Sequence, residues 1–177
     1  SYNGNETQNF FIPELGYIQH LSPQLSMGVA VYGNGGMNTE YGNNPFAKWG
    51  ASKPGGVDLS QLFISPSIAW KVNENHSLGA AINFAYQRFK MEGIQPFDNP
   101  MFTESVGDMT NNGYDSSVGW GVRLGYTGKI TPTVTLGVTW ASKTFMSEFD
   151  DYKGLYAEQG DFDIPSNFGA GVAWQAT

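Results

Sequence analysis

Gly119–Trp140, GWGVRLGYTGKITPTVTLGVTW, is the stretch whose pattern the rest of the chain repeats. Its even positions Trp120, Val122, Leu124 and Tyr126 are large and apolar, while Gly119, Gly121, Arg123, Gly125 and Thr127 are small or polar. A period of two is the signature of a strand with unlike faces; on a helix the same side chains would scatter around the circumference. After a break at Gly128–Pro132, Val134, Leu136, Val138 and Trp140 resume the alternation against Thr135, Gly137, Thr139 and Ala141. The pair predicts a β-hairpin that runs on to about Phe149.

The same alternation recurs at Phe10–Leu21, Leu25–Tyr32, Ser60–Val72, Ser77–Met91 and Asp161–Trp174, which with the hairpin makes about seven strands. Their connections alternate between short turns (Ser22–Gln24, Asn73–His76, Gly128–Pro132) and long segments (Asn38–Leu59, Glu92–Asp115, Asp150–Gly160). In an up-and-down meander every short turn then falls at one end and every long loop at the other, the asymmetry of outer-membrane barrels. Gly33, Asn34, Gly35 and Gly36 interrupt the second strand. Three glycines in four residues predict a bulge, a kink or a gap in the sheet, or a turn that ends the strand.

Composition indicates which solvent the bulky face meets. Of 177 residues 40% are hydrophobic and 15% aromatic, but only 14% are charged, against roughly 25% in soluble domains. No run approaches the ~18 apolar residues of a spanning helix, so a bilayer would be crossed by strands. The face opposite the bulky residues is mostly Gly, Ala, Ser, Thr and Asn, which suits a crowded lumen better than a water-washed surface. Tyr17, Trp70, Tyr126, Trp140 and Trp174 stand toward strand ends, as rings at a bilayer boundary do. Together these features predict an all-β, transmembrane, up-and-down antiparallel β-barrel. Alternation alone also fits a soluble β-fold. An odd number of strands leaves two open edges, so residues 1–177 are expected to be part of a larger barrel.

A net charge of −7 and a pI near 4.6 argue against nucleic acid as a partner. Cysteine is absent, which removes disulfides and thiolate chemistry. The chain opens at Ser1 without Met, basic start or apolar signal core, so a targeting segment is expected to have been removed or to lie upstream. A Ser nucleophile needs a nearby base, and His20 stands two residues from Ser22, but both fall at a short turn, as does His76. No catalysis is expected. Many carboxylates lie in the long connections without EF-hand spacing, so a solvated acidic surface is the plainer account than a metal site or cation bridges to lipopolysaccharide. No metal or cofactor is expected. Phe97, Met101, Phe102, Met109, Tyr152, Leu155 and Tyr156 in the long connections suit an adaptable apolar groove for a hydrophobic ligand, or simply pack the loops together.

The runs FFIPELGYIQHL (Phe10–Leu21), MGVAVYGNGGMNTEY (Met27–Tyr41), NFAYQRFK (Asn83–Lys90), GWGVRLGYTGKITPTVTLG (Gly119–Gly137) and FDDYKGLYAEQGDFDIPSNFGAGVAW (Phe149–Trp174) resemble the FadL/TodX family of outer-membrane transporters for hydrophobic compounds, including long-chain fatty acids and aromatic hydrocarbons. The resemblance implies a barrel of about 14 strands closed inside by an N-terminal hatch. It further implies a passive, cofactor-free channel, a monomeric barrel in the Gram-negative outer membrane among lipid and lipopolysaccharide. Ligand would be captured between two outer loops, matched here by Glu92–Asp115 and Asp150–Gly160, and would leave sideways at a kinked strand, matched by Gly33–Gly36. By that resemblance residues 1–177 form one partial barrel, with hatch and C-terminal strands outside it. The alternatives are a structural or adhesive barrel whose loops bind a partner, and a soluble β-barrel carrying a lipophile.

Overall fold

The computed structural model describes residues 2–176. Its strands are β1 (Glu14–His20), β2 (Leu25–Tyr41), β3 (Gly55–Lys71), β4 (His76–Glu92), β5 (Asp115–Thr131), β6 (Val134–Ala141), a short β7 (Phe145–Met146) and β8 (Asn167–Trp174). They form one antiparallel sheet in the order β1-β2-β3-β4-β5-β6-β8, with β7 also paired to β5. The sheet is a simple meander whose two edges, β1 and β8, do not pair with each other. Among the described residues, helical structure is confined to short 3-10 turns in the loops, and none is long and apolar enough to cross a membrane.

The parity read from the sequence holds through β3, β4 and β5. Cross-strand rows such as Trp70–Leu78–Tyr126–Val138 and Ile64–Phe84–Trp120–Phe145 gather the bulky side chains on one surface. That surface is open: Trp120 is 54% exposed, Leu124 51% and Phe84 50%, while Asn83, Ala85, Gln87 and Phe89 between and beside them in β4 are buried on the other face. A water-soluble core would show the reverse. Strand length agrees with a membrane wall. Seventeen residues of β5 at about 3.4 Å each, tilted by about 40°, rise about 44 Å, more than the apolar band about 25 Å tall. The surplus stands beyond the bilayer, where the outward positions change to Asp58, Arg88, Lys90 and Glu92.

Several boundaries differ from the sequence reading. The first strand starts only at Glu14, because Pro13 has no N–H to continue the ladder and the chain before it swings off β2. Asn38–Leu59 is not one long loop. β2 and β3 pair as far as Tyr41↔Gly55, which shortens the connection to residues 42–54. The last strand covers only Asn167–Trp174; Asp161–Ser166, with Pro165, is loop apart from a bridge between Thr144 and Ile164. The break after β5 narrows to Pro132–Thr133. The hairpin does continue past Ala141, but with a slip. Arg123 pairs with Ala141 and Gly119 with Met146, so four residues along β5 face five on the partner strand. The approach there is close enough that a Cβ on Gly119 would collide with the Phe145 carbonyl oxygen.

Gly33–Gly36 is a bulge inside a continuous strand rather than its end. Gly33 pairs with Leu62 and Gly35 with Gln61, leaving Asn34 as the extra residue. One added residue inverts the parity of everything after it. Met37 and Thr39 therefore stand opposite Leu59 and Val57 on the inner face, although Met27, Val29 and Val31 on the same strand face outward.

Candidate functional site

Two features stand out at the long-loop end. The first is an aromatic cluster on the inner face. Leu59 and Phe89, neighbours in register on β3 and β4, project inward and are covered by Phe149 and Tyr152 of the third long loop. Tyr156 and Phe162 of that loop close around them, with Phe89–Tyr152 ring centroids 4.9 Å apart, Phe89–Tyr156 5.0 Å and Tyr156–Phe162 4.9 Å; Val57, Met91 and Leu155 pack at the margin. The two Phe89 pairs meet edge-on, an arrangement that adds about 0.5–1.5 kcal/mol each to their area burial.

The Tyr152 hydroxyl donates to the Gly113 carbonyl and accepts the Met91 amide at 3.2 Å, so the buried ring ties loop, strand and second long loop together. Burial raises the Tyr152 phenol above its ordinary value, partly offset by the Met91 amide bond. Burial raises Tyr156 further, with the neighbouring Tyr152 adding to it. Both rings are neutral at any physiological pH, as an apolar seat requires.

The seven loop residues named from the sequence divide into separate groups. Tyr152, Leu155 and Tyr156 are in the cluster. Phe97 and Phe102 pack on each other at 5.4 Å, and Phe97 meets Phe46 of the first long connection at 5.1 Å, forming a second aromatic group. Met109 is buried within its own loop, and Met101 is 83% exposed. Hydrogen bonds lock the two loops together, Gly154 N–H to the Asp108 carbonyl at 2.9 Å and Asn112 Nδ2 to the Asp151 carbonyl at 2.7 Å. Phe89, Phe149, Phe162 and Phe46 are not among the seven. Phe89 carried a usable signal, being a large ring on the face of β4 that otherwise holds small and polar residues.

The second feature is an opening in the wall. β1 accompanies β2 as far as Tyr32, and the last bond of that ladder runs from Gly33 N–H to the Pro13 carbonyl. The N-terminal segment returns only at Glu40, which bonds Gly4 and Glu6. In between, among the described residues, no backbone hydrogen bond joins β2 to its neighbour on that side. A cavity of about 820 Å³ lies there, lined by Phe10–Pro13, by Gly33–Asn38, by Leu59, Gln61, Leu62 and Tyr86 from the adjoining wall, and by the polar Thr7, Asn9, Asp58, Ser60 and Arg88. A Cβ on Gly33 would lie 2.8 Å from the Ile12 side chain across this opening, whereas one on Gly35 would meet Gln61 Oε1 at 2.9 Å instead.

Cluster and opening meet at Leu59, which belongs to the core of one and lines the other. Gly35, Gln61, Gln87 and Ser117 are successive register partners across β2–β5. The row above holds Met37, Leu59 and Phe89; the row below holds Phe63, Ala85 and Gly119, with the Tyr32 ring tilted against Phe63 at 5.6 Å between centroids. Farther down, the inner face narrows to small residues such as Gly79, Gly125, Gly137 and Gly171. At the short-turn end His20 Nδ1 is hydrogen-bonded to Ser26 Oγ at 2.8 Å, not to Ser22. Among the described residues no group of His, Asp or Glu is arranged to hold a metal ion.

An antiparallel meander with an oily outer face, long loops at one end and an aromatic seat beneath them defines the wall of an outer-membrane β-barrel. Residues 1–173 match the family described as "Outer membrane protein transport protein (OMPP1/FadL/TodX)", and the chain belongs to it. Its place is therefore the Gram-negative outer membrane, in a family of transporters rather than enzymes. The chain is 23% identical to the long-chain fatty acid transport protein of Salmonella typhi over 94% of its own length and 40% of that protein's. Over 46% of the chain it is 29% identical to the protein of the same name from Escherichia coli (strain K12), of which it covers 18%. The solved Pseudomonas putida toluene transporter TodX is similar with a TM-score of 0.69 at 19% identity, over 94% of this chain and 51% of that one. The CymD monoaromatic hydrocarbon channel is similar at 0.60 and 17% identity, over 94% and 50%. The chain spans less than half the length of these curated relatives and about half of the solved barrels. At such identities the structures speak for the fold alone.

Proposed function

We propose that this chain is the capturing and releasing half of a passive channel for small hydrophobic molecules, fatty acids or aromatic hydrocarbons. Further strands complete the edges at β1 and β8, and an N-terminal hatch fills the lumen above the small-residue floor. The observation that carries the proposal is the unpaired stretch of β2 beside a largely apolar cavity of about 820 Å³ that meets the aromatic cluster at Leu59. A ligand gathered at the loops, with Phe97, Met101, Phe102 and Met109 on one loop and Tyr152, Leu155 and Tyr156 on the other, passes to the cavity at Gly33–Gly36 and leaves sideways into lipid. Apolar transfer drives it, at about 25 cal/mol per Å² removed from water. No ATP, cofactor or covalent step is needed.

The test uses the full-length protein in the outer membrane of a host lacking a comparable channel, with radiolabelled dodecanoate and toluene as probes. Gly33→Phe, which pushes a ring against Ile12, and Gly36→Phe should abolish uptake while purified protein still binds the probe. Uptake by both variants at the wild-type rate would remove the wall opening from the route. Wild-type uptake no greater than vector alone for either probe would remove the transport reading.

A further inference from the structure

We propose that Gln87 is a positioning residue: through Gln61 it latches the loop segment at Phe162 to the bulge residue Asn34, so that the aromatic seat and the wall opening share one conformational equilibrium. The proposal deepens the transport reading above and supplies the coupling that the route needs.

The latch is a directed chain of carboxamides. Asn34 Nδ2 donates to Gln61 Oε1 at 3.1 Å, Gln61 Nε2 donates to Gln87 Oε1 at 3.3 Å, and Gln87 Nε2 donates to the Phe162 carbonyl at 3.0 Å. Gln87 is fully buried, at 0% exposure, between rows carrying Phe89 above and Ala85 below. A leucine would fill that space without the cost of desolvating a carboxamide, so packing alone does not call for glutamine there. What the amide adds is a bond to a segment 75 residues away in sequence. Hydrogen bonds in series polarise one another, and in a buried setting the loss of one leaves its neighbours unpaired.

The two ends of the chain are the two functional features. Phe162 packs on Tyr156 at 4.9 Å, so a ligand that parts the cluster moves the carbonyl that Gln87 holds. Asn34 is the extra residue of the bulge and has no cross-strand partner; its side chain instead ties the bulge to the wall. Gly35 completes the device. A Cβ there would come within 2.9 Å of Gln61 Oε1, the atom that accepts from Asn34, so the missing methyl is what gives the acceptor its place. Asn34 supplies the donor and Gly35 clears the acceptor. Coupling of this kind is reciprocal: whatever releases Phe162 loosens the bulge, and whatever disturbs the bulge loosens the Phe162 segment.

Reciprocity makes the test. Gly35→Ala displaces only the end of a flexible side chain, and Gln87→Leu removes the middle of the latch. In full-length protein reconstituted in phospholipid vesicles, peptide-level hydrogen exchange is followed over residues 161–166, where Ile164 N–H bonds the Thr144 carbonyl at 3.2 Å. Each variant should speed exchange there by about threefold to tenfold, the loss of roughly one part-buried hydrogen bond. The double variant should be no faster than Gln87→Leu alone, because both break one chain. Gln61→Met provides a second entry if either variant fails to reach the heat-resistant folded form. Unchanged exchange at 161–166 in Gly35→Ala, or effects that multiply in the double variant, would overturn the latch. Uptake of dodecanoate and toluene by the same wild-type vesicles keeps the two readings apart. Linked exchange without uptake defeats the transport reading and leaves the latch standing; uptake without linked exchange does the opposite.

Discussion

Replacing Leu124 by Arg tests whether the oily face meets lipid, and the outcome depends on depth. Leu124 is at the middle of β5, points outward and is 51% exposed. Ser116 occupies the same outward face eight residues earlier, beside Arg88 in register. Eight residues at about 3.4 Å and a tilt of about 40° place it about 21 Å higher, among the charged outward positions that stand beyond an apolar band about 25 Å tall. Leu124→Arg should therefore cost about 2–4 kcal/mol and Ser116→Arg about 0–1 kcal/mol. The assay is reversible guanidinium unfolding of the full-length protein in phospholipid vesicles, read by tryptophan fluorescence. Arg123 already occupies the adjacent inward position, between Ala81 and Ala141, so charge is excluded by side of the sheet and not by height alone. Equal stability of the two variants would refute the assignment of this face to lipid, because an aqueous surface has no depth gradient.

Two further outcomes follow from the aromatic cluster. Tyr152→Phe removes a hydroxyl that both donates to Gly113 and accepts from Met91 and, at about 0.5–1.5 kcal/mol for each of these part-buried bonds, should cost about 1–3 kcal/mol in the same unfolding assay; an unchanged midpoint would show that water replaces the hydroxyl. Because burial raises Tyr156 above the ordinary value of about 10, the folded state keeps this proton while the unfolded chain loses it. The folded form then binds more protons, so the contribution to stability is whole below pH ~10 and falls as pH rises beyond it. Absorbance titration at 295 nm should show a late phase that Tyr156→Phe removes; a single phase near pH ~10 would contradict the burial.

Sequence alone determined the strands that cross the bilayer and the side each presents, because lipid and lumen impose opposite demands on alternate residues of β3, β4 and β5. It also placed the long loops at one end, since connection lengths are local facts. Where strands leave the apolar band that contrast fades, and so Asn38–Tyr41 and Gly55–Leu59 read as loop although they pair in register. The bulge was legible as glycines at Gly33–Gly36, but not its result, the inversion that turns Met37 inward. Tertiary structure decided the rest of the site. Phe89 meets Phe149, Tyr152 and Tyr156, and Gln87 reaches Phe162, only because a loop from beyond β7 folds back over the inner face. Contacts between residues so far apart in sequence depend on strand register and loop closure, which no local pattern encodes.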